Sequence, residues 1–425
     1  MKKRIYTFTV ALLITLTGCA NTNTITDTDT ENVTVIVSET AVSKTEIVND
    51  NDADEAAIVN DTVADVTDGL IYDAADNTWS TDDEELKKFV DIVKESCAKS
   101  SDIKGTYILA TDDKVLFIGG INGIDKDGNK VDAYTTYEIG SLTKMITATA
   151  VFQLAEQGKL SVDDTIDKYF PEYENSRKIK IYDLLHMRSG LLRDFFPEEN
   201  FEDQEFDAKF YSDGFTDEEL LESLFSAELS FEPGTKLDYS NSNYTLLAMI
   251  IEKVTGLGYD EYIQKNIFDV CGMEHSSSMK TGDLTSVPEL VLSNSSPLYL
   301  ECPRNARGAG DIHSCCADML AFDRALIGGK LINEESLAMM FDMNRKNMND
   351  CYGCGWEAHP NYPTNENIYW HSGCTISYIS SNLYCKNEKY GNIYMIQLHS
   401  NYSESEYRSG VSCEYDVIFE LKRSQ

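Results

Sequence analysis

Residues 141–160 read SLTKMITATAVFQLAEQGKL, a run that sets a reactive pair at the head of an apolar helix. Leu142, Met145, Ile146 and Phe152 recur at helical spacing on one face, interrupted by Thr149; Ala148, Ala150, Val151 and Leu154 widen the apolar surface, and Gly140 and Gly158 bracket the segment. Positions i and i+3 share a helix face, so Ser141 and Lys144 can touch, and a neutral lysine can then draw the proton from a serine hydroxyl. Ser-x-x-Lys also occurs at Ser96–Lys99, Ser101–Lys104 and Ser277–Lys280, so context has to choose. Ser96 falls late in a helix, Ser101 in a polar loop, and Ser277 in a serine-rich stretch with no apolar period behind it. Ser141 follows the strand-like AYTTYEI, where a helix N-terminus turns backbone N–H groups outward toward an oxyanion. A plain N-cap is the competing reading of Ser141.

Outward from this run the chain changes character on both sides. Upstream, Glu85 to Ala98 places Leu86, Phe89, Val90 and Val93 on one helical face, and Tyr107 to Gly119 reads as a hairpin with an Asp-rich turn. Downstream, helix-like runs and loops fill about 141–345, then strand character returns at Asn367–Trp370, Thr375–Tyr384 and Asn392–Leu398, before a last helix near Cys413–Lys422. Strands at both ends with helices between predict an α+β fold. Its antiparallel sheet is built from both chain ends and flanked by helices, with an inserted, mainly helical lobe.

Two further segments carry candidate chemistry. FEPGTKLDYSNSNYTLL holds Tyr239-x-Asn241 ahead of an apolar helix from Tyr244 to Val254, offering a phenol to shuttle a proton and an amide to hold a carbonyl. Tyr-x-Asn recurs at Tyr173 and Tyr390, and a polar turn capping the next helix is the simpler reading. Lys280-Thr281-Gly282 runs into a loop and is set aside. His371-Ser372-Gly373 sits between strand-like ENIYW and CTISYISSNLYC, where Gly373 admits close backbone approach and the N–H of Cys374 can serve as a second oxyanion donor.

Ser141-x-x-Lys144, Tyr239-x-Asn241 and His371-x-Gly373, in this order, resemble the three motifs of the penicillin-recognising serine hydrolases, in the branch of class C β-lactamases, D-alanyl-D-alanine carboxypeptidases and related esterases. IKIYDLLHMRSGL, FEPGTKLDYSNSNYTLL and GAGDIHSCCADMLAF resemble that branch's connecting segments, so the resemblance covers about 84–425. It implies Ser141 as the acylated nucleophile, Lys144 as its base, Tyr239 as assisting base and leaving-group acid, Asn241 as substrate positioner and His371 as part of the proton network. Ser372, Gly373 and Cys374 would line the substrate. Dedicated β-lactamases of the branch carry Lys where His371 stands, which tilts the expectation toward a peptidase or esterase. Arg188 replaces a frequent Thr, and Cys315 and Cys316 are unusual in their segment.

The N-terminus bears on location. Lys2, Lys3 and Arg4 precede an apolar run from Ile5 to Thr15, too short to span a bilayer. Leu16-Thr17-Gly18-Cys19 then resembles a lipoprotein cleavage site. The expected organisation is a signal peptide over 1–18, a lipidated Cys19 with a disordered acidic linker over 19–83, and a hydrolase domain over 84–425. From Ala20 to Asp83 the one base is Lys44, and no aromatic residue precedes Tyr72.

The 425 residues carry 36 Lys+Arg against 72 Asp+Glu, a formal charge of 36 − 72 = −36, which disfavours nucleic acid and anionic lipid as electrostatic partners. Ten cysteines beside Cys19 permit disulfides, and Cys351-x-x-Cys354 lacks the second pair that zinc would want. No cofactor or metal is expected. The expected substrate is a small molecule or a peptidoglycan peptide, with a D-amino-acid peptide of the carboxypeptidase type as the leading expectation. An ester or a β-lactam is the alternative, and a catalytically silent wall or β-lactam sensor the reading from another class.

Overall fold

The structure is a computed structural model that describes residues 66–75, 77–99, 104–121, 129–211, 214–278, 303–343, 351–358, 367–375, 378–400 and 416–421. The expected signal peptide, Cys19 and most of the acidic linker lie outside the described residues, as does the Lys280-Thr281-Gly282 segment. All described residues belong to one compact unit, 61–425.

A wholly antiparallel sheet of eight strands forms the framework. Its strands are β1 (Ile71–Asp73), β2 (Thr78–Ser80), β3 (Lys104–Thr111), β4 (Val115–Ile121), β8 (Glu357–Ala358), β9 (Ile368–Cys374), β10 (Tyr378–Asn387) and β11 (Gly391–Ser400). Their order across the sheet is β1-β2-β4-β3-β11-β10-β9-β8, so the N-terminal hairpin meets the C-terminal one through β3 and β11. A second, three-stranded sheet pairs β5 (Tyr137–Glu138) and β6 (Ser277–Ser278) with β7 (Ile312–Ser314). The strand expected over AYTTYEI is thus no longer than two residues.

The period of two divides the side chains between layers. Tyr107 and Leu109 of β3, with Ile393 and Met395 of β11, pack under helix α1 (Lys87–Lys99) and a terminal helix over 416–421, against Phe89, Val93, Val417 and Leu421. Ile108 and Ala110, with Tyr394, Ile396 and Leu398, face the larger core, which holds helices α2 (Thr143–Glu156), α3 (Asn241–Thr255) and α4 (Cys316–Ile327). The helical lobe is inserted between the two halves of the sheet, as the sequence predicts.

Two expectations need correction. The folded domain begins before residue 84: β2 pairs with β4 through Thr78↔Gly119 and Ser80↔Phe117, and Trp79 packs on the core and against Tyr72 with ring centroids 4.5 Å apart. Three-residue strands hold too little alternation to stand out from an acidic linker. Helix α2 is also not one-faced, because every residue from Thr143 to Phe152 is buried. Its threonines tolerate this by turning inward: Thr149 Oγ1 donates to Met145 O at 2.8 Å and Thr147 Oγ1 to Gly308 O at 2.7 Å.

Candidate active site

The chain enters the site through a left-handed residue. Gly140 has φ +51, and a Cβ there would lie 3.0 Å from Cys374 N, so a side chain would be both strained and crowded. A 3-10 turn, Gly140–Leu142, then presents Ser141 just ahead of α2. The N-caps of the turn and of α2 are Ile139 and Leu142, so Ser141 sits inside the turn and is the N-cap of neither.

Its hydroxyl instead meets two proton carriers. Lys144 Nζ lies 3.0 Å from Ser141 Oγ, and the Tyr239 hydroxyl donates to the same oxygen at 2.9 Å. Lys144 is fully buried; its Nζ also donates to Ala309 O at 2.6 Å and stands over the rings of Tyr239 and Tyr244, 4.9 and 5.9 Å from their centroids. Burial pushes the Tyr239 phenol well above its ordinary range, and its bond to Ser141 only partly offsets this, so the resting residue is a protonated phenol. With both neighbours donating into Oγ, attack on a carbonyl requires one of them to switch to acceptor, and a neutral Lys144 is the group able to do so.

The third segment closes over this turn from the sheet. A Cβ at Gly373 would fall 2.1 Å from Ile139 O, 2.3 Å from Ser380 Oγ and 3.0 Å from Ser141 N. Gly373 therefore lets β9 lie directly on the Ser141 turn. The contact brings this turn and the end of β9 close: a Cβ built on Gly373 would lie 3.0 Å from Ser141 N, and one built on Gly140 3.0 Å from Cys374 N. Cys374 is exposed and not in a disulfide, with Sγ 3.5 Å from Thr375 O.

His371 comes to the site without bonding to its reacting groups. Its Nδ1 donates to Ser372 O at 2.7 Å, which leaves Nε2 to accept from the Tyr352 hydroxyl at 3.2 Å. Burial, helped by the charge on Lys144, pushes its pKa down to about 3, so the ring is neutral. Its ring centroid is 6.4 Å from that of Tyr239. Asn241 opens α3 behind the extended Ser240 and commits one N–H to Asp194 Oδ1 at 2.7 Å; Asp194 in turn pairs with Arg193 Nε at 3.3 Å.

Sequence reasoning missed four contributors: Tyr352, Glu357, Asp194 and the carbonyl of Ala309. Ala309 lies in GAGDIHSCCADMLAF, but a backbone carbonyl leaves no mark on residue type. Glu357 Oε1 lies 3.6 Å from His371 Nε2. Its side chain keeps 30% exposure, yet protein hems in the carboxyl and pushes it up to about 7, with Lys144 opposing.

Among the described residues Cys271, Cys315, Cys316, Cys351, Cys354, Cys374 and Cys385 carry thiols rather than disulfides. Cys315 caps α4 by accepting from Asp318 N, and Cys354 Sγ rests 3.7 Å from both ring nitrogens of His186. Among the described residues no cluster of metal-ligating side chains occurs, and no helix is long and apolar enough to cross a membrane.

The family model described as Beta-lactamase matches residues 89–409. The chain belongs to the Beta-lactamase family. Within it, PbpX of Bacillus subtilis (strain 168), a protein named for penicillin binding, is 29% identical over 310 residues, covering 69% of this chain and 74% of PbpX. Protein flp of Staphylococcus aureus (strain NCTC 8325 / PS 47) is 25% identical over 334 residues, 74% of this chain and 63% of that one. Among solved structures, a D-stereospecific amidohydrolase from Streptomyces sp. shares the fold with a TM-score of 0.58 at 21% identity, over 75% of this chain and 97% of that one. This Beta-lactamase-family chain is a serine hydrolase, and its α+β architecture with an antiparallel sheet and flanking helices is that of the family.

Proposed function

We propose that the protein hydrolyses an amide bond beside a D-amino acid through an acyl-Ser141 intermediate, outside the cytoplasmic membrane. The observation that carries the reading is the convergence of Lys144 Nζ and the Tyr239 hydroxyl on Ser141 Oγ at 3.0 and 2.9 Å. Lys144, a cation at rest, first releases its own proton to solvent; the neutral amine then takes the Ser141 proton as Oγ bonds to the substrate carbonyl carbon. The carbonyl oxygen, now carrying the charge, is held by the N–H groups of Ser141 and Cys374. Collapse breaks the C–N bond; Tyr239 gives its proton to the departing amine and recovers one from Lys144. Water then attacks the acyl group along the reverse path and frees Ser141.

Asn241 positions the substrate, with Asp194 fixing the amide's orientation. His371 holds Tyr352 and the end of β9 rather than relaying protons. Its neutral ring supplies no cation for a β-lactam carboxylate, which favours peptide or ester over drug. The D-amino-acid choice draws on the likeness to the D-stereospecific amidohydrolase from Streptomyces sp., and the location on the lipobox-like Leu16-Thr17-Gly18-Cys19.

The test is to offer a D-alanyl amide and a D-alanyl-D-alanine peptide, quench in acid and map the protein by mass spectrometry. The expected result is a D-alanyl adduct on the Ser141 peptide, absent in Ser141→Ala. Turnover undiminished in Ser141→Ala would overturn the reading.

A further inference from the structure

The charge around the reacting serine says which end of a substrate the site accepts. Lys144, the buried cation, is held by Ser141 Oγ, Ala309 O and two aromatic faces, and Arg193 is neutralised by Asp194 at 3.3 Å. His371, on β9 beside the Ser141 turn, is uncharged and accepts from Tyr352 at 3.2 Å. Glu357 stands beside it, part-exposed; among the described residues the one basic side chain within 4.0 Å of its carboxylate is that neutral imidazole, at 3.6 Å. Apart from Lys144, already engaged by Ser141 and Ala309, the position offers a substrate carboxylate no cation, whereas an approaching ammonium meets the Glu357 carboxyl and favours its ionised form.

We infer that Glu357 is a specificity-determining residue, selecting acyl donors that carry an ammonium group next to the scissile carbonyl (D-aminoacyl amides or peptides with a free N-terminal D-residue) over donors that end in a carboxylate. The inference rests on the acyl-Ser141 reading and turns the expected carboxypeptidase-like preference toward the amino end. An N-terminal ammonium approaching Ser141 with its carbonyl in the oxyanion site would exchange water for a charge-assisted hydrogen bond to Glu357.

The experiment uses the boronic acid analogue of D-alanine, with a free ammonium, and its N-acetyl derivative, which lacks the charge. Both are scored on the full chain by protection of Ser141 from a fluorophosphonate probe. The wild type should bind the ammonium form about tenfold more tightly than the acetylated form, the worth of one hydrogen bond between charged groups. Glu357→Gln should erase that preference by weakening the ammonium form alone, and Glu357→Lys should reverse it. Equal binding of the two forms by the wild type, with Ser141 still labelled, would overturn the inference and leave the hydrolase standing. Equal weakening of both forms in Glu357→Gln would assign Glu357 a structural role and overturn it too. No labelling and no boronate binding by folded protein would remove the acyl-Ser141 reading, and the inference with it.

Discussion

Replacing Gly373 by Ala should damage catalysis far more than stability. The added Cβ would sit 2.1 Å from Ile139 O and 2.3 Å from Ser380 Oγ, wedged into a pair that hydrogen-bond each other at 2.6 Å. To reach even 3.0 Å from Ile139 O, β9 must move off the Ser141 turn by 3.0 − 2.1 = 0.9 Å. Overpacking of this kind costs about 1–3 kcal/mol, and loss of the Ser380 bond adds about 1 kcal/mol. A domain of this size survives that. The same shift carries the Cys374 amide away from Ser141, and a 1 Å error in a reacting geometry costs on the order of 10²-fold in rate. The assay is the second-order rate of fluorophosphonate labelling at Ser141, run beside urea unfolding. Labelling at the wild-type rate in a destabilised Gly373→Ala would refute the claim that this contact positions the oxyanion donors.

Other substitutions probe the rest of the site and core. Lys144→Ala should reduce acylation by about 10²–10⁴-fold, the span for loss of a positioned acid–base group, as read by burst kinetics; a normal burst would exclude Lys144 as base. Tyr239→Phe should slow turnover of amides by about 10²-fold or more while sparing activated esters, whose leaving groups need no proton; equal losses on both would contradict the leaving-group role. Asp323 is fully buried, accepts from Asn382 Nδ2 at 2.9 Å through Oδ1, and leaves Oδ2 unpartnered. Burial raises its pKa from 3.8 to about 8, so the folded state keeps a proton that the unfolded state releases. Its contribution to stability is full below 3.8 and is lost as pH rises toward 8, at about 1.4 kcal/mol per pH unit. Asp323→Asn should remove that slope, so the variant gains on the wild type steadily from pH 5 to 8 in urea unfolding. A pH-independent difference would show that the carboxyl is ionised in the fold.

What the sequence reveals follows from how local each feature is. Ser141 and Lys144 are legible because i, i+3 geometry on a helix is short-range. Tyr239 and His371 become legible through the company of the other motifs, and the hairpins of β3–β4 and β10–β11 through alternation. Tyr352, Glu357 and Ala309 were not legible, since each reaches the site by packing across many residues. The neutral state of His371 was hidden for the same reason: it is set by burial and by Tyr352, neither visible in a His-x-Gly string. The all-round burial of α2 likewise depends on α3 and the 303–343 segment closing over its threonines, which local periodicity does not register.

The central claim is that Ser141 is an activated nucleophile and Lys144 activates it. Its most direct test is site-mapped labelling with a fluorophosphonate probe, wild type beside Lys144→Ala. The account predicts a single adduct on Ser141 that the lysine variant loses. No adduct on well-folded wild-type protein, or undiminished labelling of Ser141 in Lys144→Ala, would contradict it.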